Sequence, residues 1–558
     1  MSEQQPGWAG SARAWAWMAI FCLMTAVATA AQPVAQQQPA APSQPAQSSG
    51  AQSSNAQSSD KDKPTPITPE QAKQLFALVD QLIQFSSGET GLPIKSTVKR
   101  KLITRAEVES YVREKFDEDE GAKRMQKDEI VLKKFGLIDR DFDLKPFLLS
   151  LLKEQIEAFY DSKTKTVNLL DWVSVDDQKP VMAHELTHAL QDQHSDLEKW
   201  DDQTPNDVSM NSSGDIDHIA RDEMDTARDA VVEGQATAVM MDYMLKPLGK
   251  SLIKNPEIID MVRKQMSDTS DTPVMARAPL MLSESLLFPY RDGLSFEQDV
   301  WMDQGQTAAF AGALDRPPTS SWEILNPRYY EQHRIPSVPL LPDIHPLVDK
   351  MYIPYDIGQM GQLDVHILAE IFGGTAAARE FTHAWNGGIY WAGQLRSAKT
   401  PAEQNSTKSL AYFYLSAWTS EESAQGFAGL YADNLGRKYM HLQKVSDDQN
   451  ANLPDGTTEQ VYSTEEGPVV ITTRGKLVFV SESFPLDLAR KLASLILDAQ
   501  ATGDLQMARQ MQLLRPPVLE PARMDDPAPE PLSASLIHFF ADCGVMRSGV
   551  EAATRAGQ

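Results

Sequence analysis

"VMAHELTHALQDQH" occupies residues 181–194 and decides how the rest of the chain is read. Val181, Met182, Ala183, Leu186, Ala189 and Leu190 give the run an apolar stripe at helical spacing. His184 and His188 stand one helical turn apart and share a face. Two imidazoles so placed can meet one zinc ion at about 2.0–2.1 Å, with Glu185 projecting beside an open coordination position. A glutamate there serves as a base toward activated water instead of a ligand. The bland alternative is a pair of satisfied histidines in an ordinary buried helix. The chain holds 10 His in 558 residues. At that density the pattern arises by chance in about one such chain per hundred, so the surroundings must decide.

Two residues compete as third ligand. His194 follows His184 at the spacing of an HExxHxxGxxH pattern, in which a glycine breaks the helix and swings the last histidine back. Gln191, a good helix former, stands at that position, and in a continuing helix His194 points away from the His184/His188 face. Glu233 in "ARDAVVEGQATAVMMDYM" is the stronger candidate. A helical stretch from roughly Asp217 to Leu245 puts Asp222, Asp225, Asp229 and Glu233 on one stripe. The first three lie among Arg221 and Arg228 and read as a solvated, ion-paired face. Glu233 sits instead among Ala230, Val231, Val232, Gly234, Ala236 and Ala238. A carboxylate in so apolar a segment needs a partner, either a buried cationic side chain or a metal ion. Gly234 and Ala236 also leave room for another helix to approach closely.

The whole chain bounds the function. A formal charge of −25 argues against a nucleic-acid partner, which demands a basic surface. Apolar residues make up 42%, with 10 Trp and 19 Phe, enough for real cores, and the length implies more than one domain. Residues 1–31 read as a signal peptide. Arg13 precedes the apolar run at 14–30, which closes on Ala28-Thr29-Ala30. Export to the periplasm or exterior follows, with no stable membrane span after cleavage; an uncleaved anchor through 14–30 is the alternative. Removal of that segment leaves Cys543 as the one cysteine, which excludes an internal disulfide and a four-cysteine zinc site. Residues 32–66, rich in Gln, Pro, Ala and Ser, form a disordered linker.

The fold class is α+β, mainly helical. Thr68 caps an amphipathic helix carrying Leu75, Leu78, Leu82 and Phe85. "AFYDSKTKTVNLLDW" (158–172) reads as a short hairpin directly before the motif helix. Frequent proline between 270 and 350 implies long loops linking short helices. From 355 to 505, "GIYWAG", "LAYFYLSAW" and a hairpin "GPVVITTRGKLVFVSES" alternate with helices to make a smaller α+β module. "WNGGIYW" (385–391) suits a tight turn with core aromatics, or else a ligand surface. Residues 512–558 form a loose Pro-rich tail.

"HELTHAL" followed by a helical glutamate resembles the gluzincin, thermolysin-like zinc metallopeptidases. The longer string "HELTHALQDQH…AVVEGQA", with "LFPYRDG" and "PPTSSWEILNP" downstream, resembles a family of exported prokaryotic proteins. The resemblance implies a zincin-like domain over 67–350 and one zinc ion. His184, His188 and Glu233 would be its ligands and Glu185 the general base. Thr237 stands where the thermolysin-like enzymes place an aspartate that orients a ligand histidine, so Asp229 or Asp192 becomes the candidate for that task.

The implied chemistry is metal-assisted hydrolysis of a peptide or protein substrate. Tyr290, His218 and Tyr243 are candidate donors to a developing oxyanion, and the hairpin offers an edge strand for peptide alignment. Two other functions stay open: a zinc-dependent hydrolase of a non-peptide amide, and a non-catalytic exported binding protein with a structural zinc.

Overall fold

The computed structural model describes residues 66–110, 129–155, 158–200, 203, 208–270, 272–445 and 453–501. The signal segment, nearly all of the linker and the Pro-rich tail lie outside them. The fold is α+β and mainly helical. Among the described residues no helix is long and apolar enough to cross a membrane.

The motif lies on α2 (Val175–Ser195), which packs between α1 (Pro69–Thr90) and α4 (Met224–Leu245), with a shorter helix, α3 (Ser212–Arg221), lying between α2 and α4 in the chain. Ser174 caps α2 by accepting from the Asp177 amide, and Asp176 and Asp177 place negative charge in its first turn. Gln178 is buried and holds the helix to the preceding strand. Its amide donates to the carbonyls of Leu170 (3.0 Å) and Val173 (2.8 Å), and its oxygen accepts from Leu170 N–H (3.1 Å). Thr68 opens α1 with a full capping box, and Ser86 on that helix donates to the Ala183 carbonyl at 2.9 Å.

Ahead of α2 stands a three-stranded sheet in the order β1-β3-β2, built from β1 (Lys99–Ile103), β2 (Phe159–Asp161) and β3 (Thr166–Leu170). The β2–β3 hairpin turns where the sequence placed it, with Lys165 in left-handed backbone. Strand β1 joins β3 in parallel, leaving β2 at one edge.

Two helical expectations need correction. The stretch read from Asp217 to Leu245 is two helices, α3 and α4, broken at Asp222–Glu223. The Pro-rich region contains α5 (Leu280–Gln304), a 25-residue helix that runs straight through "LFPYRDG" with Pro289 and Gly293 inside it. Local breaker signals lose here to packing. A Cβ on Gly234 would stand 2.3 Å from the Gly293 carbonyl carbon, and one on Gly293 would stand 2.1 Å from the Ala230 oxygen. The two helices touch backbone to backbone, and only glycine permits it.

The C-terminal part is a seven-stranded antiparallel sheet in the order β4-β5-β6-β10-β9-β8-β7. The central strands are β5 (Trp385–Leu395), β6 (Leu410–Trp418), β9 (Gly467–Arg474) and β10 (Leu477–Glu482), with β4 (Tyr352–Gln359) and β7 (Gln443–Lys444) at the edges and β8 (Thr457–Thr464) inside β7. "WNGGIYW" is therefore strand β5, bulged between Trp385 and Gly388, and not a turn. Residues alternate by face. Tyr390, Tyr412, Tyr414, Ile471 and Val480 join the core shared with the helical part, while Trp391, Phe413, Val470 and Phe479 pack under α6 (Leu486–Ala501). Phe135 of the helical part sits 5.5 Å from the Tyr390 ring and 4.2 Å from Tyr412, so one core runs from Leu75 to Val480.

Candidate metal centre

His184, Glu185 and His188 each offer a ligand atom, and those atoms lie within 4.8 Å of one another. Glu233, brought in on α4, stands closer still. Its Oε2 is 3.0 Å from His184 Nε2 and 3.5 Å from His188 Nε2, and the two Nε2 atoms face each other at 2.8 Å. A tetrahedral ion with bonds of about 2.0–2.1 Å spaces its ligand atoms about 3.4 Å apart. The three atoms thus form a slightly contracted version of one face of such a site. The sequence candidates His184, His188 and Glu233 come together; Glu185 Oε1 lies 4.0 Å from His184 Nε2, beside the group.

The four side chains are at most 2% exposed. Buried carboxylates normally find hydrogen-bond partners, yet Glu185 Oε1 and Glu233 Oε1 have none among the described residues, and His184 Nδ1 has at best a weak contact with the Ala236 backbone. Such orphaned polar atoms around three converging donors fit a metal ion. Burial, with His188 alongside, pushes His184 down to about 4, so it is neutral and able to ligate. Burial and the nearby Glu233 charge push Glu185 well up, against the pull of the Tyr160 amide. Burial also pushes Glu233 upward, but His188 and His184 outweigh it and hold this carboxyl below its ordinary value. Two histidines and a carboxylate, rather than thiolates or carbonyls, form a donor set suited to a divalent transition metal.

Of the two aspartates proposed to orient a ligand histidine, Asp192 does other work. Asp192 orients no histidine. It accepts from Tyr160 O–H (2.7 Å), Lys165 Nζ (2.8 Å) and Leu197 N–H (3.2 Å), clamping the hairpin onto α2. Tyr160 also donates its amide to Glu185 Oε2 at 2.7 Å, so strand β2 aims the glutamate. Asp229 is buried one turn before Glu233, and Asp222 and Asp225 are buried too, so the acidic stripe is no solvated face. The partner of His188 Nδ1 is Gln191 Oε1, at 2.9 Å. Sequence reasoning treated Gln191 only as a helix former; its position one turn after His188 was the available signal.

The helix continues through Gln191 to Ser195, and His194 pairs with Asp315 at 2.9 Å at the surface, away from the centre. Of the three oxyanion candidates, Tyr290 on α5 packs its ring against His184, with centroids 6.4 Å apart. His218 pairs with Asp222 and Tyr243 packs on Phe85. Compared with known proteins, the chain matches no family model, no curated sequence and no solved structure.

Proposed function

We propose that this chain is an exported zinc-dependent metallopeptidase of the gluzincin kind. The observation that carries the reading is the meeting of His184 Nε2, His188 Nε2 and Glu233 Oε2 beside a glutamate that is itself no closer than 4.0 Å to the histidine nitrogen. The two histidines and Glu233 would hold a zinc ion, which would supply Lewis acidity toward a water and the scissile carbonyl. Glu185 takes the water proton on Oε1, because Oε2 is fixed by the Tyr160 amide, and passes it to the departing amine. Tyr290, packed against His184, is the candidate donor to the oxyanion. Strand β2, at the sheet edge beside Glu185, is where a substrate peptide would align. The apolar run at 14–30 supports export.

One observation favours the second reading, a structural metal bracing α2 against α4: the complete burial of all four side chains. Glu185 speaks against it, since a bracing metal has no use for a carboxylate beside its ligands. Metal analysis of the purified chain, with digestion of a peptide library by wild type and Glu185→Gln, separates them. Zinc near one per chain in both proteins, with cleavage in wild type alone, supports the peptidase. Zinc in both with no cleavage of peptides and no hydroxamate binding favours the structural role.

A further inference from the structure

Two buried glutamines form a chain of amides leading outward from the centre. Gln235 Nε2 donates to the carbonyls of Ala309 (2.9 Å) and Phe310 (3.0 Å). Both carbonyls belong to a π-helical turn at Ala308–Gly312, where the wider winding disturbs the usual backbone pairing. Carbonyls only accept, so the nitrogen end of Gln235 must face them and its Oε1 must face the other way. That oxygen accepts from Gln191 Nε2 at 2.9 Å, and the same nitrogen donates to the Val232 carbonyl at 3.0 Å. The orientation of Gln191 is thereby fixed as well, with Oε1 toward His188. At 2.9 Å from His188 Nδ1, this oxygen can only accept. The proton must then sit on Nδ1, which leaves the lone pair of neutral His188 on Nε2, the nitrogen that faces His184 and Glu233.

We infer that Gln191 and Gln235 are positioning residues whose one-way hydrogen bonds, anchored on the Ala309, Phe310 and Val232 carbonyls, set the ring orientation and tautomer of His188 for metal binding. The inference rests on the metal reading above for its purpose, but the tautomer itself follows from donors and acceptors alone. It also gives Gln191 a reason to stand where an HExxHxxGxxH protein has glycine. A glycine would end the helix and bring in a third histidine, whereas this chain draws its third ligand from α4 and ties α2 to α4 through the amide.

The relay predicts a graded response. Gln191→Met keeps the length of the side chain and removes all three of its hydrogen bonds, to His188, Val232 and Gln235. Gln235→Met removes one of the two groups that hold Gln191, and the Val232 carbonyl still holds it. Loss of an outer partner of a ligand histidine typically weakens metal binding about 10–100-fold. Zinc affinity of the full chain, measured by competition with a chromophoric chelator, is expected to fall by that factor in Gln191→Met and by about tenfold or less in Gln235→Met. Long-range proton–nitrogen correlation on metal-free protein labelled in the histidine rings reads the tautomer directly. The His188 signal, identified by its loss in His188→Asn, is expected as the Nδ1–H form in wild type, with mixed tautomers in Gln191→Met. A purely structural glutamine would alter stability without moving this signature. An Nε2–H form in wild type, or an unchanged tautomer and zinc affinity in a folded Gln191→Met, overturns the inference. If Gln191→Met does not fold, Gln235→Met and the wild-type tautomer still decide it. Wild type that binds no zinc but shows the Nδ1–H form defeats the metal reading and leaves the relay standing.

Discussion

Gly234 and Gly293 lie backbone against backbone, and this contact sets how close α4 carries Glu233 to the motif helix. A methyl on either glycine would fall 2.1–2.3 Å from a backbone atom of the other helix. Backbone cannot rotate away as a side chain can, so the helices must part. Overpacking of this kind typically costs 1–3 kcal/mol. Gly293→Ala is expected to lower the midpoint of chemical unfolding by about that energy and also to weaken zinc binding, because the displaced contact positions α4, which carries the proposed ligand Glu233. Gly249→Ala is the useful control, since its Cβ meets nothing within 4 Å, although its left-handed φ of 71° adds local strain. Loss of stability in Gly293→Ala with unaltered zinc affinity would show that the helix spacing does not govern the site.

Metal should also hold the fold together, because its proposed ligands come from two helices, α2 and α4. At a free zinc concentration about a hundred times its dissociation constant, binding adds ~2.7 kcal/mol to stability. Stripping the chain with chelator is expected to lower its thermal midpoint by a few degrees, with full recovery on adding zinc. Glu233→Ala should abolish the zinc-dependent shift, and His194→Ala should leave it intact, as His194 is occupied by Asp315. A shift lost in His194→Ala instead would mean the third ligand is misassigned.

How far the site could be read beforehand depended on whether the signal was local. The hairpin turning at residues 162–165 and the β9–β10 pair were legible because alternation with a polar turn is a local pattern. Glu233 stood out because a carboxylate among alanines and valines demands a partner whatever the fold. Helix α5 was hidden, since Pro289 and Gly293 signal a break locally and their helical state depends on contact with α4. The burial of Asp222, Asp225 and Asp229 was hidden for a related reason. A charged stripe looks the same whether it faces water or another layer, and here the C-terminal sheet covers part of it: the Gln359 amide donates to Asp222 Oδ2. The roles of Gln191 and Gln235 needed the Ala309 and Phe310 carbonyls, more than seventy residues further along the chain.

The clamp between Tyr160 and Asp192 gives a prediction that separates aiming from ligation. Tyr160→Phe removes the phenol bond and leaves the backbone amide that Glu185 uses. Asp192 keeps Lys165 and the Leu197 amide, so the expected loss is about 1–3 kcal/mol of stability for a buried bond to a charged acceptor. Zinc content should remain at the wild-type level, and any hydrolytic activity should fall through the looser placement of β2 against Glu185. Loss of zinc in a folded Tyr160→Phe would show that the hairpin is part of the ligand geometry itself.

A pH dependence should arise at the α3–α4 break. Glu223 is buried there against Ser321, whose hydroxyl donates to Oε1, and its other oxygen has no hydrogen-bond partner among the described residues. Burial, with Asp364 and Asp222 nearby, pushes its carboxyl up to about 8, from an ordinary value of 4.5. The folded value lies above the unfolded one, so between those limits the folded chain binds more protons than the unfolded chain. Stability from this group is therefore fully present below pH ~4.5 and is lost as pH rises through about 8. Each unit of difference corresponds to about 1.4 kcal/mol, so the loss is on the order of a few kcal/mol. Glu223→Gln keeps the acceptor for Ser321 and puts a neutral donor where the unpartnered oxygen lies, next to Asp364. The variant is expected to melt several degrees above wild type at pH 8.5 and close to it at pH 5.5. An equal gain at both values would mean that Glu223 does not titrate on folding and that the benefit comes from the new donor alone.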